Sequence, residues 1–523
     1  MVRGGGRQVV PGRSRATLWL LCLALGLGAA LAIWLSTPTY GLAVAPDSTV
    51  YLGAAQSLLE GKGLSDRGVP LTHFPPAYPI ALATTARLLH TGPFTAARYL
   101  HVLLFACNLV LAALLAYLCS GGSGSATVAG MLLLGVSAQT LRSHLNVASE
   151  PLFLAFTLTN LVLAGQYLLR RRSGWLLAAA LAGGLAITTR YVGVALLLPL
   201  LWVAWKYTPQ NRRVRTTVLA LACSAAPAAA WVARNVALRL PATNRTLAYH
   251  PLELERLREF QAALSELVVP GLSLPGLVQT LLTVGGLALA LGSIAFWLRK
   301  ARTESPRARA APPAVGLIEV LLILALSYVG VLLLSLTFLD ASIMGGRFVL
   351  IPYTMVGMAA LAAIYQLAGK GRSALWWGVL LCLALSLVRN GQEGLRWAQE
   401  LRAVGHGYSG QAWAESPTAT AVRPLPTELV LYSNAAEALQ YVTGRETTFL
   451  PRMYDPTSLI ANAVYEQELD RVCRECREGR AVVVYLYNVP GRWQYGTKEE
   501  LLSLCPLDYL GQWSDGALWG KAR

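Results

Sequence analysis

Apolar runs of near-spanning length, separated by short basic clusters, constrain this chain before any motif is read. They fall at 18–35, 99–119, 126–141, 151–169, 175–189, 192–205, 216–236, 277–298, 315–339, 348–368 and 375–388. A helix crosses the hydrocarbon core of a bilayer in about 20 residues, and only helices or closed barrels satisfy their backbone there. With 55% hydrophobic and 14% charged residues, the chain is too apolar for a soluble protein. The expected fold is mainly α: a polytopic transmembrane helical bundle of about eleven spans.

The net charge of +17 does not point to nucleic acid, because the basic residues sit between apolar runs, where they orient spans. Arg3, Arg7, Arg13 and Arg15 place the N-terminus in the cytoplasm. Cleavage after Ala30-Leu31-Ala32 would make the first run a signal peptide, but the run continues through Ile33 and Trp34, so an uncleaved span is expected. The clusters at 170–172, 206–215, 299–309 and 370–372 alternate as cytoplasmic if the C-terminus lies outside. Residues 37–97 then form the first outer loop, and 76–90 cannot cross: Pro75-Pro76 starts a juxtamembrane or re-entrant helix too short to span. The amphipathic stretch from Leu252 to Leu267 reads as an interfacial helix covering a site.

Residues 1–389 thus make up the transmembrane domain and 390–523 an extracytoplasmic α/β domain. In the latter, Leu429-Val430-Leu431-Tyr432 and 481–486 read as strands, with helical patterns at 435–442 and around 455–478. Five of the eight cysteines lie in apolar runs and read as small hydrophobes. Cys473, Cys476 and Cys505 fall in a polar segment, but no second pair completes a zinc set, and a surface helix with at most one disulfide is expected.

On the orientation just derived, the unusual polar residues share the outer face. Asp47, Tyr51, His73 and Tyr78 lie in the first loop; Arg142, His144 and Glu150 flank another turn; Arg190 and Tyr191 a third; Arg234 ends a span; Asp340 and Arg347 bracket a short loop. Single arginines at span ends often snorkel, but ionisable groups gathered at one membrane face commonly line a polar cavity. Asp47 also reads as an N-cap, since Pro46-Asp47-Ser48 precedes a helical pattern. The set suits sugar transfer from a membrane-bound phosphate carrier. A carboxylate beside an acceptor hydroxyl acts as general base, and oriented arginines stabilise charge on the leaving phosphate. Asp47 is the candidate base, and Arg190 and Arg347 are the candidates for the phosphate.

The motifs Asp47-Ser48-x-x-Tyr51, Gly61-x-Gly63, His73-x-Pro75-Pro76-x-Tyr78-Pro79, Ser149-Glu150-Pro151, Thr189-Arg190-Tyr191 and Arg347-Phe348-x-x-x-Pro352 together resemble the GT-C superfamily of integral-membrane glycosyltransferases. Within it, the chain is similar to bacterial relatives of the protein O-mannosyltransferases and lipid A aminoarabinose transferases. The resemblance implies an inverting transfer from a polyprenyl-phosphate sugar on the outer face, to a lipid, glycan or protein acceptor, with the first-loop aspartate near the reacting centre. It also implies juxtamembrane helices after the first span. Ser48 stands where the protein mannosyltransferases carry a second acid, which argues against a protein acceptor. Some GT-C enzymes need a divalent metal; His73, Glu150 and Asp340 are candidate ligands, without spacing that demands one.

Two rivals differ in kind. A transporter or flippase of lipid-linked sugars would show internal repeats and midplane charges; neither is found. A non-catalytic membrane protein binding cell-wall material leaves the shared face of Asp47, Arg190 and Arg347 unexplained.

Overall fold

Proline stands at the start of several helices of this molecule, because it fits the first helical turn and its missing N–H is unpaired there anyway. In the computed structural model, Pro46 opens Pro46–Leu59, Pro76 caps Ala77–Leu88, Pro93 opens Pro93–Cys119 and Pro151 sits in the first turn of Glu150–Arg170. The structure describes residues 12–243, 245–251, 253–268, 270–271, 276–304, 313–339, 345–368, 374–487 and 489–521. Asp340 lies outside the described residues.

The chain is a multi-pass membrane protein. Among the described residues, seven helices are long and apolar enough to cross a bilayer, or eight if the bent pair Gly124–Gly135 and Ala138–His144 is one span. The count of about eleven is not confirmed among the described residues. The run at 175–189 forms Ser173–Ile187, whose 15 residues rise about 22 Å against a core of about 30 Å. The run at 192–205 begins as a 3-10 helix, Tyr191–Leu196, before Leu197–Tyr207. The run at 375–388 is the first half of Ala374–Val404, a 31-residue helix. Side chains from these helices form one continuous apolar core that includes Phe105, Leu158, Ile318 and Met355.

Between the first two long helices lie the two short helices expected in the first loop, Pro46–Leu59 and Ala77–Leu88. A tight hairpin joins them, Ser65–Asp66 against Val69–Pro70, turned by Arg67 and Gly68 in left-handed conformation. Of the amphipathic stretch, Leu252 lies outside the described residues, and the rest falls in the helix Leu254–Val268. It packs Ala263 and Leu267 against Val349 and Leu350, just after Arg347.

The C-terminal domain holds a five-stranded sheet in the order Thr448–Phe449, Val430–Ser433, Ala481–Leu486, Gly516–Gly520, Asp508–Gln512; the first two pairings are parallel and the last two antiparallel. Its central strand reads as a run of valines because both faces are covered. Val483 packs toward Leu469, Val472 and Cys476, and its neighbours Val482 and Val484 pack toward Ala419, Val422 and Leu439. Cys473 pairs with Cys505 and Cys476 stays free and buried, so the Cys-x-x-Cys pair is not a disulfide.

Candidate active site

A backbone splice holds the first-loop aspartate in place. The segment leading to it pairs on one side with the turn before Glu150, through Ala43 N–H to Leu145 O and Val147 N–H to Ala43 O, both 2.9 Å. On the other side Tyr408 N–H donates to Val44 O at 2.8 Å, and Ser409 Oγ donates to Leu42 O. Gly407 makes this approach feasible. Its φ is +62°, and a Cβ there would stand 2.1 Å from Val44 O. Ser48 completes the splice, accepting from Ala45 N–H at 2.9 Å and donating to Val147 O at 2.6 Å.

The N-cap of Pro46–Leu59 is Ala45, which places Asp47 in the first turn and not at the cap. Its carboxylate is free of capping and lies 3.5 Å from the Arg347 guanidinium. Arg347 also reaches Glu150, at 3.9 Å, and Glu150 pairs with Arg190 at 2.7 Å. Asp47, Arg347, Glu150 and Arg190 thus form a chain of alternating charge. The flanking pair Asp47 and Arg347 is well exposed, whereas the Glu150 and Arg190 side chains are only 11% and 19% exposed. Arg190 donates to Ser149 Oγ at 3.1 Å, which is 3.3 Å from Tyr51 Oη. The Phe348 ring lies under both guanidiniums, 4.9 Å from Arg347 and 6.0 Å from Arg190.

Behind Tyr51 the polar residues change character. Tyr51 meets Phe74 and Tyr78 edge-on, at 5.0 and 5.1 Å, and His73 packs beside Phe74. Tyr78 Oη bonds His101 Nε2 at 2.7 Å, while His101 Nδ1 donates to His144 O at 2.9 Å. His144 itself is fully buried, with Thr140 O and Asn108 as partners. Burial pushes the Tyr51 phenol above its ordinary value, with the nearby Asp47 carboxylate acting in the same direction, so its hydroxyl stays protonated.

The remaining sequence candidates are held elsewhere. Arg142 pairs with Glu393 at 2.5 Å and Glu266 at 3.5 Å. Arg234 donates to Leu64 O and Leu71 O, bolting the end of Gln210–Ala237 to the base of the hairpin. Tyr191 Oη donates to Thr72 O and accepts from Trp231 Nε1. The structure therefore brings together Asp47, Tyr51, Glu150, Arg190 and Arg347, places His73 and Tyr78 one layer behind, and sets Arg142, His144, Tyr191 and Arg234 into bracing contacts. Ser149 and Phe348 join the cluster without having been singled out, although both sit inside the quoted motifs. Tyr328, buried within electrostatic reach of Arg190, had no sequence signal beyond its apolar run. Among the described residues no three His, Cys, Asp or Glu side chains converge as a metal-ligand set.

Residues 59–225 match the family model described as dolichyl-phosphate-mannose-protein mannosyltransferase. No curated protein sequence matches the chain. Among solved structures, it is similar to ArnT from Cupriavidus metallidurans bound to undecaprenyl phosphate, with 15% identity, a TM-score of 0.57 and coverage of 95% of this chain and 98% of that one. It is similar to the arabinofuranosyltransferase AftD from Mycobacteria, with 14% identity and a TM-score of 0.52 over 96% of this chain and 40% of AftD. The Archaeoglobus fulgidus oligosaccharyltransferase in complex with Zn and sulfate aligns with 11% identity and a TM-score of 0.50, over 89% of this chain and 68% of that one. All three are GT-C glycosyltransferases. The likeness read from short motifs thus extends to the fold along nearly the whole chain.

Proposed function

We propose, from the premise that this chain is a membrane protein with the GT-C glycosyltransferase fold, that it transfers a sugar from a polyprenyl-phosphate donor to an acceptor hydroxyl on the extracytoplasmic face, inverting the anomeric carbon. The observation that carries the reading is the alternating cluster of Asp47, Arg347, Glu150 and Arg190. In it Asp47 is the exposed end and the only carboxylate that is not shared between two arginines.

Asp47 acts as general base. It takes the acceptor's proton as the hydroxyl attacks the anomeric carbon and the bond to the phosphate oxygen breaks. Arg190 and Arg347 receive the leaving phosphate. They are rigid, fork-shaped donors, and Glu150 and the Phe348 ring hold their planes before substrate arrives, so little reorganisation is required when charge develops. Tyr51 and Ser149 support Arg190 from behind. The acceptor is a lipid, glycan or protein, and no step here uses a metal. On this reading the N-terminus is cytoplasmic, and residues 390–523 form an extracytoplasmic domain on the membrane domain of 1–389.

The test is to reconstitute the protein in proteoliposomes and follow release of free polyprenyl phosphate from a panel of polyprenyl-phosphate sugars. The reading predicts release from one donor in the presence of acceptor. Movement of lipid-linked sugar between leaflets with no release would replace it with the transporter.

A further inference from the structure

The end of the bundle opposite the charged cluster carries a second concentration of charge, and this one is uncompensated. The helix Glu150–Arg170 leaves the cluster and ends about 30 Å away, where Arg170 is followed by Arg171 and Arg172. Leu197–Tyr207 ends there with Lys206, and Gln210–Ala237 begins there with Arg212, Arg213 and Arg215. From residue 151 to residue 252 the sequence holds no Asp or Glu. The carboxylate that does reach this end, Glu319, is engaged: it accepts from Lys206 Nζ at 2.7 Å and from Tyr207 Oη at 2.8 Å. Among the described residues none of the six arginines has a carboxylate within ion-pairing reach, and all but Arg213 are exposed.

Orientation of spans requires positive charge on one side of the membrane, but not a fixed arrangement of it. Here the two basic loops are fastened together. Arg171 Nη1 donates to Tyr207 O at 3.0 Å, and Tyr167 Oη lies 2.6 Å from Thr208 Oγ1. Ser173–Ile187 runs parallel to Gln210–Ala237 and close to it, since a Cβ on Gly184 would stand 2.5 Å from Ser224 O. Twelve residues back along both chains from that contact, Arg172 stands level with Arg212, and Arg215 shares the helix face of Arg212.

The surroundings are those of a lipid headgroup. Aromatic rings carry the cations, with Arg170 over Trp175 at 5.3 Å, Arg171 over Tyr207 at 5.2 Å, Lys206 over Trp202 at 4.8 Å and Arg213 over Trp205 at 5.4 Å. Trp and Tyr gather where a membrane meets water. Along the same two helices, Leu198, Trp202 and Trp205 on one and Val214, Val218 and Leu221 on the other are exposed. Both sets are spaced by four and then three residues, so each forms one apolar face. A ligand that satisfies cations and apolar faces together has a phosphate at one end and hydrocarbon at the other.

We infer that this patch binds an anionic phospholipid of that leaflet, with Arg172, Arg212 and Arg215 on the phosphate oxygens and the acyl chains along the two apolar faces. Guanidinium groups suit this task because they meet phosphate with two parallel hydrogen bonds. The lipid ties together the far ends of helices whose other ends lead to Glu150, Arg190 and Arg234. Nothing in this inference rests on the transfer reaction.

The experiment uses the full chain in mild detergent, titrated with cardiolipin or phosphatidylcholine, with bound lipid counted by native mass spectrometry. Wild type is expected to retain one cardiolipin per chain under conditions that strip phosphatidylcholine, and equimolar inorganic phosphate should not displace it. Arg172→Gln with Arg212→Gln and Arg215→Gln should weaken retention roughly a hundredfold, since each basic residue near an anionic surface contributes about fivefold. Arg299→Gln with Lys300→Gln removes charge from the end of Gly276–Glu304, outside the patch, and should bind as wild type does. A comparable loss in that second variant would reduce the patch to diffuse attraction and overturn the inference. Displacement by inorganic phosphate would do the same, as would equal retention of phosphatidylcholine and cardiolipin by wild type, a comparison for which no variant has to fold.

Discussion

The Arg347 guanidinium lies 3.5 Å from the Asp47 carboxylate, although 300 residues separate them in the chain. An ion pair of this exposure contributes little to stability, about 0–1 kcal/mol. On the proposed mechanism its use is different: at the open end of the charge chain, Arg347 orients the base in the resting state and already stands where the donor phosphate is received. Arg347→Lys keeps the charge but loses the planar fork. It should lower kcat/KM for the donor by roughly tenfold to a hundredfold while leaving thermal stability within about 1 kcal/mol of wild type. Steady-state kinetics and a melting curve on the same preparation check both halves.

On the proposed mechanism Glu150, paired with Arg190 and near Arg347, competes with the donor phosphate for the two arginines. Its removal therefore has opposite effects on binding and turnover. Glu150→Gln should bind free polyprenyl phosphate more tightly, by about tenfold, and turn over more slowly because product leaves slowly. Equilibrium binding of the lipid phosphate, set beside kcat, decides it; weaker binding would mean that Glu150 is needed chiefly to shape Arg190.

Gly407 is where the chain following Ala374–Val404 meets the segment that leads to Asp47. A side chain there faces both a left-handed backbone, at φ +62°, and Val44 O at 2.1 Å. Gly407→Ala should cost at least about 1–2 kcal/mol from the backbone alone and move Val44, and with it Asp47. The expected result is a lower melting temperature together with a fall in kcat. The nearby Ser409→Ala, which loses only one hydrogen bond to Leu42 O, should show a much smaller change in both.

The Cys473–Cys505 bond closes a loop with a sequence separation of 32, for which chain-entropy arguments give about 3–4 kcal/mol. Cys473→Ser with Cys505→Ser should destabilise the C-terminal domain by that order in a denaturant titration. Turnover at low temperature should be retained, because neither sulfur lies in the charged cluster.

How far the sequence discloses this arrangement depends on the kind of interaction. Asp47, Glu150, Arg190 and Arg347 were legible as a group because charge is rare near apolar spans and the basic clusters fix which ends of those spans lie together. The first-loop helices were legible from parity and from Pro75-Pro76. Arg142 and Arg234 carry the same signal but point to other partners: Glu393 lies 251 residues from Arg142, and the carbonyls of Leu64 and Leu71 have no side-chain signature at all. The splice of Ala43 and Val44 onto Leu145 and Tyr408 is invisible for the same reason, being made of backbone groups. In the C-terminal domain the central strand was readable as an apolar run, whereas the edge strand Asp508–Gln512 is mostly exposed, contains Gly511 and looks like a loop. The count of eleven spans is not confirmed where helices are broken or short, since hydropathy records composition and not the length of unbroken helix.

The most direct test of the central claim is the rate of polyprenyl phosphate release by Asp47→Asn beside wild type, in proteoliposomes with the donor identified from the panel. The substitution removes the base while keeping its size, and the helix cap at Ala45 is untouched. The account predicts a loss of about a hundredfold or more with unchanged donor affinity and an unchanged melting temperature. A variant as active as wild type would contradict the role of Asp47 as base.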